Sequence, residues 1–217
     1  MKSCTEPLFE LRGLSVSYGP VHAVRGVSLC VRRGETAAIV GESGSGKSQA
    51  MLAALRLVPR EAAVQGSVYF EGRALSALPQ KQLDALLGRR IAMVFQEPMP
   101  ALDPLFTVGG QIGAVLRSKA GFPRRAARAR AIELLHMTGI AEAERRAHAY
   151  PHELSGGQRQ RVAIAMAVAC NPDLLIADEP TTALDVTVAA KILELLLELK
   201  ERTGMAMIFI SHDLNLV

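Results

Sequence analysis

The chain has 217 residues, enough to bury one sizeable core; 49% of them are apolar, only 4% aromatic, and none is tryptophan. That composition suits an aliphatic α/β interior and argues against a base-stacking nucleic-acid surface. The net charge is +4, and no apolar run approaches the ~18 residues of a membrane span.

In chain order, Leu8 to Val16 and Val24 to Val31 alternate like half-buried strands, with a turn at Arg33-Gly34-Glu35. Ala37 to Val40 reads as a short buried strand running into a glycine-rich loop. A helix is expected from Lys47 to about Leu57, ended by Pro59. Ser67 to Phe70 and Ile91 to Phe95 read as further strands. From about Pro98 to Pro151 strand-like runs give way to alanine- and arginine-rich helical ones. Within them, Arg124 to Met137 sets Ala127, Ala131, Leu134 and Leu135 near one face. Ser155 is placed to cap a helix running to Ala169. Leu174 to Ala177 reads as a buried strand, Val188 to Arg202 as an amphipathic helix, and Met205 to Ile210 as a strand.

The basic residues fall in groups: Arg32-Arg33, Arg89-Arg90, Arg124-Arg125 with Arg128 and Arg130, and Arg145-Arg146. They read either as solvated faces and turns or as attraction to an anionic membrane surface or an acidic partner loop. No aromatics interleave with them, so nucleic acid is not expected. Glu6 and Glu10 stand where a signal peptide would need an apolar core. Cys4, Cys30 and Cys170 are scattered, so neither a disulfide framework nor a zinc site is expected, and a reducing cytoplasm fits.

Gly41-Glu42-Ser43-Gly44-Ser45-Gly46-Lys47-Ser48 matches the P-loop pattern in full, with a strand before and a helix after. The glycines let backbone amides converge on β- and γ-phosphate oxygens at a helix N-terminus. Lys47 adds a point charge and the Ser48 hydroxyl can ligate Mg²⁺. Leu174 to Ala177 ends in Asp178 and Glu179. Alone, such a pair reads equally as a strand-end turn; beside a P-loop, Asp178 fits Mg²⁺ and Glu179 fits the base for an attacking water. The run Leu154-Ser155-Gly156-Gly157-Gln158 places a serine and amides at a helix start. It reads as a second anion site or as a plain helix cap.

These motifs, in this order, make the chain resemble the ATP-binding subunit of an ABC transporter over essentially its whole length. The resemblance implies a P-loop NTPase (RecA-like) α/β core with an N-terminal antiparallel β subdomain and an inserted α-helical subdomain near residues 98–170. It places Tyr18 against adenine, Gln96 on Mg²⁺ and the attacking water, Asp185 in a loop crossing a dimer interface, and His212 on the γ-phosphate. Ser155, Gly156, Gly157 and Gln158 would then bind the ATP held by an opposing P-loop. The expected partners are a second nucleotide-binding subunit, the same or a homologue, and transmembrane permease subunits. A periplasmic substrate-binding protein would be an indirect partner, and the subunit would sit on the cytoplasmic face of the bacterial inner membrane. Phe95 to Pro104, Tyr150 to Glu153 and Ala183 to Val188 are similar to the peptide and nickel importer branch, which implies di- or oligopeptide import. The family normally continues beyond a residue such as His212, so the chain reads as C-terminally truncated. A soluble non-transport ABC ATPase, the front half of a fused two-domain protein, or an inactive fragment are the alternatives.

Overall fold

The computed structural model describes residues 7–99, 101–182 and 184–213. Along the chain come β1 (Phe9–Tyr18), β2 (Val21–Val31), β3 (Thr36–Val40), α1 (Lys47–Ala54), β4 (Ala62–Phe70), β5 (Arg73–Ala74) and α2 (Gln80–Leu86). Then follow β6 (Ile91–Val94), α3 (Val108–Ala120), α4 (Arg124–Met137), α5 (Ala143–Arg146), α6 (Gly156–Val168), β7 (Leu174–Asp178), α7 (Val186–Thr203) and β8 (Ala206–Ser211).

The strands form two sheets. One is antiparallel, in the order β2-β1-β4-β5; the other is parallel, in the order β3-β8-β7-β6. β7 is buried along its whole length, which explains why Leu174 to Ala177 is an unbroken apolar run rather than an alternating one. Its side chains still alternate between two cores. Leu174 and Ile176 face the antiparallel sheet and α1, with Phe9, Leu11 and Met51. Leu175 and Ala177 face the helices, with Ile112, Leu134, Ile164 and Leu195. Each leucine or isoleucine so withdrawn from water stabilises the fold by roughly 1.5–3 kcal/mol.

The fold class is therefore the one the motifs imply: a parallel α/β core, an antiparallel β unit from the N-terminal half, and helices α3 to α6 inserted between β6 and β7. Several boundaries shift. α1 stops at Ala54, because Arg56 turns left-handed at φ 58° before Pro59 is reached. β4 starts at Ala62 rather than Ser67, since pairing with β1 carries it past Gly66. α2 and β5 carry too short a pattern to be seen in the sequence. Cys30 is engaged in a disulfide, which the scattered cysteines did not announce, and Cys170 is a free thiol.

Two of the arginine groups prove structural. Arg90 donates from Nη1 and Nη2 to Glu71 Oε2 and Oε1 (2.5 and 2.8 Å) and from Nε to Asp173 Oδ2 (2.7 Å). Arg33 Nη1 reaches Asp173 Oδ1 at 3.2 Å, and its Nη2 also contacts Glu71. The guanidinium of Arg90 lies 5.0 Å from the Phe70 ring centroid. Arg33 and Glu71 leave the antiparallel sheet, while Arg90 and Asp173 precede β6 and β7. The four charges thus fasten one sheet to the other.

Candidate functional site

All four parallel strands deliver a candidate residue at the same edge, the C-terminal one, where ligands bind in open α/β sheets. Gly41 follows β3, Gln96 follows β6, Asp178 and Glu179 end β7, and His212 follows β8.

The loop from Gly41 to Gly46 delivers the chain to α1. Gly46 is the helix N-cap at φ +92°, and a Cβ on it would collide with the Ala23 carbonyl oxygen of β2. Only glycine satisfies both demands. No side chain caps α1, whereas Thr107, Ser155 and Asp185 cap α3, α6 and α7 through their own oxygens. The first-turn amides of α1 are thereby left for an anion, at the positive end of the helix.

Lys47 is buried, and its Nζ donates to the carbonyls of Gly41 (2.7 Å) and Glu42 (2.8 Å) while lying 3.6 Å from Glu179 Oε1. Ser48 Oγ donates to Asp178 Oδ1 at 2.7 Å. Asp178 is buried, and burial pushes its carboxyl above the ordinary range. The Ser48 hydrogen bond opposes that rise, and the adjacent charge of Glu179 adds to it. Two hard oxygen donors side by side, one of them a carboxylate short of positive charge, fit a divalent ion such as Mg²⁺. Among the described residues no group of three or more His, Cys, Asp or Glu forms a metal cluster. A Ser and an Asp here would thus share the ion with phosphate oxygens and water, the usual habit of Mg²⁺.

Glu179 gathers the rest. Its Oε2 accepts from Thr182 Oγ1 (2.9 Å) and Gln96 Nε2 (3.3 Å) and lies 3.0 Å from His212 Nδ1. Burial raises its carboxyl most, yet the hydrogen bonds from Thr182 and His212, together with the charges of His212 and Lys47, outweigh burial and hold it below the ordinary value. Its backbone is left-handed at φ 43°, uncommon for a residue with a side chain, while its amide still bonds to the Ile210 carbonyl of β8 at 3.0 Å. Such strain persists where surrounding structure holds it, often at reactive sites.

The structure therefore brings Lys47, Ser48, Gln96, Asp178, Glu179 and His212 into one cleft. Tyr18 ends β1, and its hydroxyl donates to Gln49 Oε1 of α1 at 2.8 Å, one turn from the loop. Ser155 and Gln158 form a reciprocal capping box at the start of α6, Gln158 N to Ser155 Oγ at 3.3 Å and Ser155 N to Gln158 Oε1 at 3.0 Å. Among the described residues no hydrogen bond joins Ser155 to Gln158 with the loop at Gly41 to Ser48. Asp185 caps α7 through Val188 N at 2.9 Å. Thr182 was not expected from the sequence. Its signal was a hydroxyl three residues after Glu179, the spacing of a local turn, confirmed by Thr182 N bonding to Glu179 O at 3.1 Å.

Comparison with known proteins agrees with this arrangement. A family model described as "ABC transporter" matches residues 24–182. The "Peptidoglycan transport ATP-binding protein YejF" of Agrobacterium fabrum is 52% identical over 98% of this chain and 40% of its own length. The "Oligopeptide transport ATP-binding protein OppD" of Bacillus subtilis is 48% identical over 97% of this chain and 60% of its own length. The chain thus spans 40% and 60% of the length of these two relatives. Among solved structures, a dimeric post-hydrolysis state of the ATP-binding cassette MJ0796 bound to ADP and Pi has a TM-score of 0.82 at 33% identity. That match covers 96% of this chain and 89% of the other.

Proposed function

The chain belongs to the ABC transporter family, and on that premise we propose that it binds and hydrolyses ATP to drive an importer of di- or oligopeptides. The observation that carries the reading is the pair of contacts that ties the loop to the end of β7, Ser48 Oγ to Asp178 Oδ1 at 2.7 Å and Lys47 Nζ to Glu179 Oε1 at 3.6 Å.

In this reading ATP is the substrate. The amides from Gly44 to Ser48 receive its β- and γ-phosphates, with Glu42 and Ser43 shaping the loop. Lys47 exchanges its two loop carbonyls for phosphate oxygens. Ser48, Asp178 and Gln96 would hold Mg²⁺, which spreads the charge on the transferring phosphate. Glu179, ionised at neutral pH, accepts a proton from water as the water oxygen bonds to the γ-phosphorus and the bond to ADP breaks. Gln96 and His212, both already on the Glu179 carboxylate, orient that water and the γ-phosphate. Tyr18 supplies the adenine stack.

Ser155, Gly156, Gly157 and Gln158 close the site from a second nucleotide-binding subunit, the same or a homologue, and Asp185 lies at that interface. The transmembrane permease subunits dock on the surface from Gln96 to Pro104, where Met99 is exposed and the exposed Phe95, Leu105 and Phe106 flank it. The protein then acts peripherally on the cytoplasmic face of the inner membrane. The names of the Bacillus and Agrobacterium relatives support a peptide or peptidoglycan-derived solute.

The test is nucleotide binding by the full-length protein. Lys47→Ala removes the buried cation and should weaken ATP affinity at least ~10-fold, as loss of a charge-assisted contact does. Unchanged affinity in a fluorescence titration would sink the assignment of the loop.

A further inference from the structure

The arginines of α3 and α4 converge on a concavity that the ATP cleft does not use. It has a volume of about 480 Å³ and is lined by Arg117, Arg124, Arg125, Arg128 and His148. An adjoining hollow of about 490 Å³ shares Arg117 and Arg124 with it. Among the described residues none of these four arginines pairs with a carboxylate. Arg128 Nη2 instead lies 3.1 Å from His148 Nε2, a ring nitrogen that brings no negative charge. On the same helix Arg130, turned elsewhere, does pair, with Glu133 at 2.8 Å. Gly110 and Gly113 leave the α3 wall bare of side chains; a Cβ on Gly113 would have nothing nearer than Arg117 Nη1 at 3.6 Å.

Four guanidinium groups held around one hollow repel each other, and that repulsion is relieved by an anion. The N-terminus of α3 does not provide the attraction. Its Val108 and Gly109 amides bond to the carbonyls of Ala149 (2.9 Å) and Ala147 (3.0 Å), and that of Gly110 to Thr107 Oγ1 (3.3 Å). The attraction is guanidinium chemistry, whose planar forks match phosphate oxygens in pairs.

We propose that this concavity is a second anion site, distinct from the P-loop, that takes a phosphate-bearing anion. The phosphate arrives either on a small soluble molecule or on a phospholipid headgroup; both present the same oxygens to the same forks. Occupancy would be felt by α6, which Ser155 caps, and by α3, which the exposed Leu105 and Phe106 precede, since α3 and α4 pack on α6.

The experiment uses the full-length protein carrying Lys47→Ala, so that the P-loop contributes little. Inorganic pyrophosphate is titrated by calorimetry, and in a second arm the protein is sedimented with vesicles of phosphatidylglycerol or of phosphatidylcholine. Pyrophosphate binding that falls at least ~10-fold on adding Arg124→Gln with Arg128→Gln, and weakens with salt, supports the site with a soluble source. Binding only to phosphatidylglycerol, lost in the same variant, supports it with a headgroup source. Equal behaviour of variant and parent with both probes overturns it. Should the double variant fold poorly, Arg117→Gln on α3 carries the test, since it must weaken binding in the same direction.

Discussion

At the scale of single residues, Glu179 is the position on which most contacts converge. Its carboxylate is held below its ordinary value by donors rather than by distance from water, and its ionised form is what a base requires. Glu179→Gln should therefore leave ATP affinity within a few-fold of normal while lowering turnover by roughly 10²-fold or more; single-turnover hydrolysis alongside a binding titration reads both. Thr182 acts through Glu179 and is a positioning residue. Thr182→Ala removes one donor, so the Glu179 pKa rises. Activity needs the carboxylate, so the acidic limb of the pH–rate profile should move to higher pH, with kcat lowered and KM little changed. An unmoved limb would mean that Thr182 is only part of the turn. Lys47, Ser48, Asp178 and Glu179 were legible in the sequence because their pattern is local: a loop of fixed spacing, and two acids at the end of an apolar run. Thr182 and Gln49 were not, because their importance lies in where a side chain points, which spacing alone does not reveal.

At the scale of elements, the start of α6 is set by its neighbour. A Cβ on Gly157 would lie 2.7 Å from Val188 Cγ1 of α7, and one on Gly156 would touch Leu184 Cδ2 at 3.7 Å. Gly157 thus serves a close helix approach within this chain, whatever it binds in an assembly, whereas Gly156 has room for a Cβ. Gly157→Ala should overpack that contact and destabilise the protein by about 1–3 kcal/mol, and adding Val188→Ala should recover part of the loss. A thermal or chemical denaturation series on the two single variants and the double measures this; additivity of the two losses would show that the residues do not touch. The Ser155 cap and the Asp185 cap were readable from residue type, since Ser and Asp before apolar periodicity mark helix starts. The Gly157–Val188 approach was not, because it joins residues from two helices whose packing depends on the β7 strand between them.

At the scale of the molecule, two sheets with different strand directions are held by burial and by the charges of Arg33, Glu71, Arg90 and Asp173. Hydrogen bonding to Arg90 lowers the Glu71 carboxyl most, and the charges of Arg90 and Arg33 assist against burial. A depressed folded-state value means that the stabilisation is present above the unfolded carboxylate value of about 4.3 and is lost as pH falls through the folded one. Glu71→Gln should accordingly lower stability at pH 7 by about 1 kcal/mol, and the difference from wild type should narrow as pH falls below about 4.3 and close below the folded-state value. A gap that persists undiminished at low pH would point to lost packing instead. The sequence showed Arg33 and Arg90 only as members of basic pairs. Their acids lie 38 and 140 residues from Arg33 and 19 and 83 from Arg90, so that only folding reveals the partnership. The overall class was legible because each strand announced itself locally and the motifs fixed their order.

The position of β3 carries one further consequence. Among the described residues it pairs with no strand of the parallel sheet but β8, Thr36 opposite Met207 through Val40 opposite Ser211. During synthesis the ribosome therefore releases the P-loop strand some 170 residues before the strand that anchors it. β6 and β7 can pair as soon as residues 174–178 are free, while β3 still waits for residues 206–211 to supply its sheet neighbour. ATP added to a nascent chain should gain a firm hold only once residues 206–211 have cleared the exit tunnel. The nucleotide site would then form only after β8 has been made, although its loop is synthesised long before.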